Sequence, residues 1–277
     1  SMYRYALLLC MICLPAAPPI AAADEGEALP PAVKIALIID DLGNQLMAGE
    51  QALALPGAIT YAFLPQTPFA WQLASRAHEL NKEVMLHQPM ESDSGNRLGN
   101  GALTLDMSRE RFTHTLRRNL ASIPYVAGVN NHMGSLLTRD PTAMRWLMGV
   151  LRVNGLYYID SRTTDATVAE RTANRNLVAA SRRHVFLDNL PQAQAIREQL
   201  RKLIELAREQ GGAIGIAHPY PQTLALLRRE LPKLERQGVE LVPVSQLVYS
   251  GRPLWHAYSS PSPKDAKSLK PSPSRIY

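Results

Sequence analysis

The stretch that decides the fold is KIALIIDDLG, Lys34 to Gly43. After Lys34 every residue through Ile39 is apolar. Two carboxylates, Asp40 and Asp41, then follow at once, with Leu42 and Gly43 behind them. A short run that is apolar at both parities suits a parallel strand covered on both faces, not a strand with one wet side. The same grammar recurs along the chain, predicting further strands at 59–64, 83–86, 126–129, 157–159, 185–187, 213–217 and 240–244. Between them, amphipathic spacing predicts helices at 70–80, 108–121, 141–153, 191–209 and 222–236. Strand–helix alternation implies right-handed crossovers and a parallel sheet. Repeated this often, it predicts an α/β fold, a distorted (β/α) barrel of about seven parallel strands in a single domain over 33–250.

The ends have a different character. Arg4, the apolar run 5–14, the break at Pro15 and the small residues Ala21–Ala23 predict a cleaved signal peptide over 1–23. The run is too short and too interrupted for a spanning helix, so no stable membrane span is expected after cleavage. The expected location is outside the cytoplasm, in a bacterial periplasm or cell envelope. Residues 24–32 (DEGEALPPA) read as a linker, and 251–277, rich in Ser, Pro and Lys, as a disordered tail. The net charge is +6, with a sequence pI near 9.4. The tail carries much of it, which argues against a nucleic-acid partner and leaves anionic cell-wall polymers or membrane surfaces. Both cysteines, Cys10 and Cys13, fall in the leader. A mature chain therefore has neither disulfide nor thiolate, and a metal must be held by His nitrogen and carboxylate oxygen.

Polar residues gather where the strands end. Asp40-Asp41 follow the first strand, His87 to Glu91 the third, and Asn130-Asn131-His132 the fourth. Asp160-Ser161-Arg162, Asp188-Asn189 and His218-Pro219-Tyr220 end the later ones. In a parallel barrel this edge is the rim on which sites are built. Adjacent carboxylates repel unless a proton or cation intervenes. A divalent metal resolves the conflict by taking one and leaving the other as a base. His87 and His132 are the candidate metal ligands, and neutral imidazole with carboxylate suits zinc or another divalent ion. Glu91 competes as a ligand, or sits behind the ligands or on a substrate hydroxyl. His218 is the candidate general acid. Asp160 and Arg162 are read either as a charge pair that orients Asp40 or meets substrate or as a plain structural salt bridge, and Asn130, Asn131 and Ser135 as hydrogen-bond donors or as residues that shape the turn. No GxSxG elbow, P-loop or dinucleotide-binding glycine pattern is present.

Taken in order, IIDDLG (38–43), FLP (63–65), MLHQPME (85–91), NNHMGS (130–135), YIDSRTT (158–164) and IAHPYP (216–221) resemble the divergent polysaccharide deacetylase family. The resemblance covers about 33–250. It implies a distorted (β/α) barrel related to carbohydrate esterases that deacetylate chitin-like or peptidoglycan-like glycans. It also implies that Asp40 is the base, Asp41 a zinc ligand and His218 the acid. The chain departs from the well-studied deacetylases in one respect. Their two metal-binding His lie one helical turn apart, whereas here His132 on the next strand end replaces the second. Two other readings remain open, a non-catalytic glycan-binding or regulatory protein on the same fold, and a glycoside hydrolase using Asp40, Glu91, Asp160 or Asp188.

Overall fold

A computed structural model describes residues 32–250. The signal peptide, nearly all of the linker and the tail lie outside the described residues. In chain order the elements are β1 (Val33–Leu42), α1 (Leu46–Leu53), β2 (Thr60–Phe63), α2 (Ala70–Glu79), β3 (Glu83–Met90), α3 (Arg109–Ala121), β4 (Val126–Met133), α4 (Pro141–Val153) and β5 (Tyr157–Asp160). They continue as α5 (Ala169–Arg175), β6 (Ala180–Arg182), β7 (Val185–Phe186), α6 (Ala193–Gln210), β8 (Gly212–Ala217), α7 (Pro221–Glu230) and β9 (Val239–Leu241). Every strand pairing is parallel, in the order β6-β5-β4-β3-β2-β1-β8-β7, with β9 beside the first residues of β1. The predicted distorted barrel is therefore present, with eight strands on the path in place of about seven.

The differences have local causes. Helix 222–236 stops at Glu230 and continues as short 3₁₀ turns, because Pro232 lacks an N–H and crowds the preceding turn. β6, α1 and α5 are additions, all short. Strands β3 and β4 run on to Met90 and Met133, so His87 and His132 stand within strands and not beyond them. The helix starts carry ordinary signals: Ser108 accepts from the Arg111 N–H, and Asp140 accepts from that of Ala143 with Pro141 in the first turn.

Strand parity sorts the core into two layers. Ile35, Leu37 and Ile39 join the large cluster under the helices. Ala36 and Ile38 join Met85, Ile159, Ile214 and Ile216 in a smaller inner cluster, closed below by Val242, Val244 and Leu247. Gly128 belongs to this inner space: a Cβ there would lie 2.2 Å from the Tyr157 ring.

The two edge strands of the sheet, β6 and β7, are separated in the chain by only Arg183 and His184. Arg183 N–H donates to Asp160 O (2.9 Å) on one side, and His184 N–H to Ile214 O (2.8 Å) on the other. One extended segment thus passes from β5 to β8 and joins the ends of the sheet. The Arg183 side chain is fully buried at this seam. Its Nε donates to Ser161 O and its Nη2 to Arg162 O, both at 2.9 Å, and its guanidinium lies 4.0 Å from the Phe186 ring centre.

Candidate metal and acid–base site

The parity that buries Ala36 and Ile38 inside the barrel also turns Asp40 inward at the C-terminal end of β1. A regular strand would send Asp41 to the opposite face. Instead the pairing of β1 with β2 is interrupted between Ile39 and Leu42, and Asp41 adopts a left-handed backbone (φ 61°). This bulge brings both carboxylates to the same rim, a placement that aspartate tolerates better than most residues.

Across β3 and β4, His87 is registered with Asn130, and Pro89 with His132. Asn130 is the clamp. Its Nδ2 donates to Asp40 Oδ1 (2.8 Å), which leaves its Oδ1 to accept from His87 Nδ1 (2.7 Å). The Nδ1 of His87 must therefore carry the proton, and its Nε2 presents a lone pair. That Nε2 faces Asp41 Oδ1 at 3.0 Å and His132 Nδ1 at 3.1 Å, and His132 Nδ1 is 3.0 Å from the same oxygen. Among the described residues, Asp41, His87 and His132 form the one cluster of metal-ligating type.

This donor set fits a divalent ion. Two imidazole nitrogens and one carboxylate oxygen converge with edges of about 3 Å, close to the roughly 3.0–3.4 Å between neighbouring ligands each about 2.1 Å from a shared ion. A neutral His87 also sets lone pair against lone pair at Asp41, a conflict that only a proton or cation at the centre removes. The site electrostatics express the same demand. Burial works against charge on His87, yet Asp40 and Asp41 outweigh it and raise its pKa. The neighbouring carboxylates are driven apart. Burial, helped by Asp41, raises Asp40 above the usual range despite His87 and His218. At Asp41 burial is overcome by His132 and His87, and the pKa falls well below that range. Splitting two carboxylates in this way yields one proton acceptor and one permanent anion.

His218 follows β8. Its Nδ1 is 2.8 Å from Asp188 Oδ1, its own N–H donates to Asp188 Oδ2 (2.8 Å), and Thr223 Oγ1 donates to that same oxygen (2.8 Å). Burial would lower the His218 pKa, but Asp188, with Asp41 and Asp40 beyond it, raises it to about 10. The ring stacks between Phe186 (6.2 Å between centres) and Tyr220 (5.5 Å). An Asp188→Asn variant is expected to bring the His218 titration, followed by NMR of the ring protons, from about 10 down toward the ordinary 6.5. Because the folded value is raised, the stability this pair contributes is complete below about pH 6.5 and is lost as pH climbs toward 10. That alkaline loss should vanish in the variant. An unmoved titration would mean that Asp188 does not hold the proton on His218.

The remaining expected residues are spread around the rim. Asn131 accepts from Tyr158 OH and the Ser161 N–H, and donates to Met133 O, tying β4 to β5. Ser135 bonds Asp93 and Ser92, and Glu91 accepts from the Leu105 N–H, so both fasten the loop after β3. Asp160 accepts from the Arg162 N–H and Thr167 Oγ1, and the Arg162 guanidinium lies 3.6 Å from Asp165. Asp188 and Thr223 escaped the sequence reading of the acid. Asp188 was visible as a strand-end carboxylate, but only the adjacency of β7 and β8 couples it to His218.

The described residues thus form a parallel α/β barrel with a carboxylate–imidazole cluster on its C-terminal rim. The chain belongs to the divergent polysaccharide deacetylase family, whose model it matches over residues 37–248. It is 37% identical to the protein YibQ of Escherichia coli (strain K12) over 215 residues, 78% of this chain and 67% of that one. Its fold is shared with the crystal structure of ATU2773 from Agrobacterium tumefaciens C58, with TM-score 0.77, 23% identity, and coverage of 80% and 92% of the two chains. It is shared less closely with BA3943, a CE4 family pseudoenzyme from Bacillus anthracis, with TM-score 0.51, 15% identity, and coverage of 78% and 65%.

Proposed function

We propose that this chain is an exported, metal-dependent carbohydrate deacetylase that removes N- or O-acetyl groups from a cell-envelope or peptidoglycan-like polysaccharide. The observation that carries the reading is the convergence of ligand atoms from Asp41, His87 and His132 on one point, with Asn130 holding His87 in place. Zinc, or another divalent ion held there, would polarise the acetyl carbonyl and acidify a coordinated water. Asp40, with its raised pKa and its carboxylate steadied by Asn130, takes the proton from the attacking water. His218, kept protonated by Asp188, gives its proton to the departing amine or alkoxide. The C–N or C–O bond breaks, and acetate and a free amine or hydroxyl remain.

Protein purified without chelator should carry close to one equivalent of metal by elemental analysis. Asp41→Ala and His132→Ala should both lose it. The metal-loaded protein should release acetate from acetylated amino-sugar polymers. An empty site even after reconstitution would sink the mechanism.

One observation favours a second reading, a non-catalytic glycan-binding or regulatory protein. With one proton at its centre the cluster satisfies itself, His87 bonding Asn130 and Asp41 while His132 shares the same carboxylate oxygen. Under that reading the elemental analysis gives no metal and glycan binding survives Asp41→Ala.

A further inference from the structure

The charge of the folded body is unevenly placed. Residues 108–176, which include α3, α4 and α5, hold ten arginines and no lysine against five carboxylates. Two of those carboxylates, Asp160 and Glu170, are buried and partnered. What faces water from these helices is therefore strongly cationic, with Arg152 and Arg175 exposed in the last turns of α4 and α5.

The helices α3, α4 and α5 lead directly into β4, β5 and β6, which are neighbours in the sheet. Their connecting turns therefore lie side by side, at the end of the barrel opposite the catalytic rim. Each turn offers water a large apolar side chain: Tyr125 is 57% exposed, Val153 86% and Leu177 68%. Leu80, before the adjacent β3, extends the row.

Two of these residues also sit in left-handed backbone, Tyr125 at φ 63° and Leu177 at φ 58°. The corresponding turns after α4 and α2 use Gly155 (φ 65°) and Asn81 (φ 57°), the residue types this conformation selects. A bulky side chain in that conformation crowds its own backbone and is strained. Tyr125 covers one ring face by stacking on His78 at 3.7 Å, and its other face remains in water. Folding alone rewards neither choice, and strain retained against the fold's interest marks a surface with a use.

We propose that this end of the barrel docks onto an anionic lipid bilayer. The apolar tips enter the boundary between headgroups and acyl chains, and Arg152 and Arg175, in the last turns beside them, meet lipid phosphates. A soluble polyanion would reward the arginines but not the exposed Tyr125, Val153 and Leu177, so the combination favours a bilayer. No helix among the described residues is long and apolar enough to cross a membrane, so the contact is peripheral. In this orientation the catalytic rim faces away from the lipid.

The test is co-sedimentation of the full chain with vesicles of phosphatidylcholine alone, or of phosphatidylcholine with phosphatidylglycerol. Two double variants are compared, Tyr125→Asn with Leu177→Asn, and Arg152→Gln with Arg175→Gln. The N-terminal segment is common to every arm, so differences belong to this face. Each double variant should bind the anionic vesicles about tenfold or more weakly, and added salt should weaken the parent. The Asn pair should melt at the parent temperature or above, because asparagine accepts left-handed backbone, so its lost binding is not misfolding. Equal binding of parent and variants would overturn the proposal. So would a loss confined to the arginine variant, which would indicate attraction to polyanions alone. Self-association without vesicles that disappears in the Asn pair would assign the face to a second copy of the chain instead.

Discussion

Replacing Arg183 with alanine is expected to lower the unfolding free energy by about 3–5 kcal/mol, with a fall in Tm on the order of 10 °C. The guanidinium fills the seam where the ends of the sheet meet, and bonds the carbonyls of Ser161 and Arg162. Truncation takes the partner from both carbonyls, one on buried Ser161 and one on half-buried Arg162, at about 1–3 kcal/mol for a carbonyl left without water. It also leaves a void against Phe186, over which the cation now lies. Arg183→Met should recover the packing but not the carbonyl partners, and so fall between the two. Urea and thermal unfolding would measure the series. A loss under about 1 kcal/mol for alanine would show that the backbone bonds of Arg183 and His184 close the barrel unaided.

For Asp40→Asn the expected result is a metal-replete protein whose acetate release falls on the order of 10²–10⁴-fold. The substitution removes the proton acceptor while nearly preserving shape, and Asp41, His87 and His132 are left in place to hold the ion. Metal content and turnover are therefore predicted to separate. Rotation of the new amide can keep an oxygen toward Asn130 Nδ2, so the clamp on His87 should survive. Metal content by elemental analysis and acetate release by enzymatic assay read the two quantities on one sample. If activity persists within a few-fold, Asp40 is not the base. If metal is lost along with activity, Asp40 shapes the ligand set and the division of roles between the two carboxylates is wrong.

How much of this was legible before the structure depends on range along the chain. The apolar run Lys34–Ile39 announced a doubly covered strand, and strand β1 stands there. The rim clusters were legible for the same reason, since a polar residue ending such a run has little choice but the open edge. β6 was not, because Ala180-Ser181-Arg182 has neither an apolar run nor alternation, and it belongs to a seam whose key residue is a buried arginine. Helices α1 and α5 run for only about two turns, shorter than the window over which a helical period stands out from chance. At the site, His87 and His132 stood out singly, but their meeting depends on the register of β3 with β4. The bond of Asp188 to His218 likewise spans 30 residues and requires two strands to be neighbours. The left-handed turn at Asp41 is subtler still: DDLG reads as a turn, whereas the structure uses it to bend a strand's last carboxylate inward.

The position of β1 carries a consequence for how the protein comes to be made. It is the first strand of the folded body and bears both rim aspartates. On one side it pairs with β2, but its other neighbour is β8 (Gly212–Ala217), and β9 (Val239–Leu241) flanks its beginning. A chain that emerges amino end first must therefore hold this oily, doubly charged segment half-paired until almost every later residue has appeared. Contacts of such long sequence separation form slowly. During that interval Lys34–Ile39 is an open edge that invites pairing with other chains. A nascent chain stopped before residue 212 keeps Asp40, Asp41, His87 and His132 in its sequence yet lacks the strand that pairs with the run leading up to the two aspartates. The cell would then hold the ingredients of the site without the site, in a form suited to holdases or proteases.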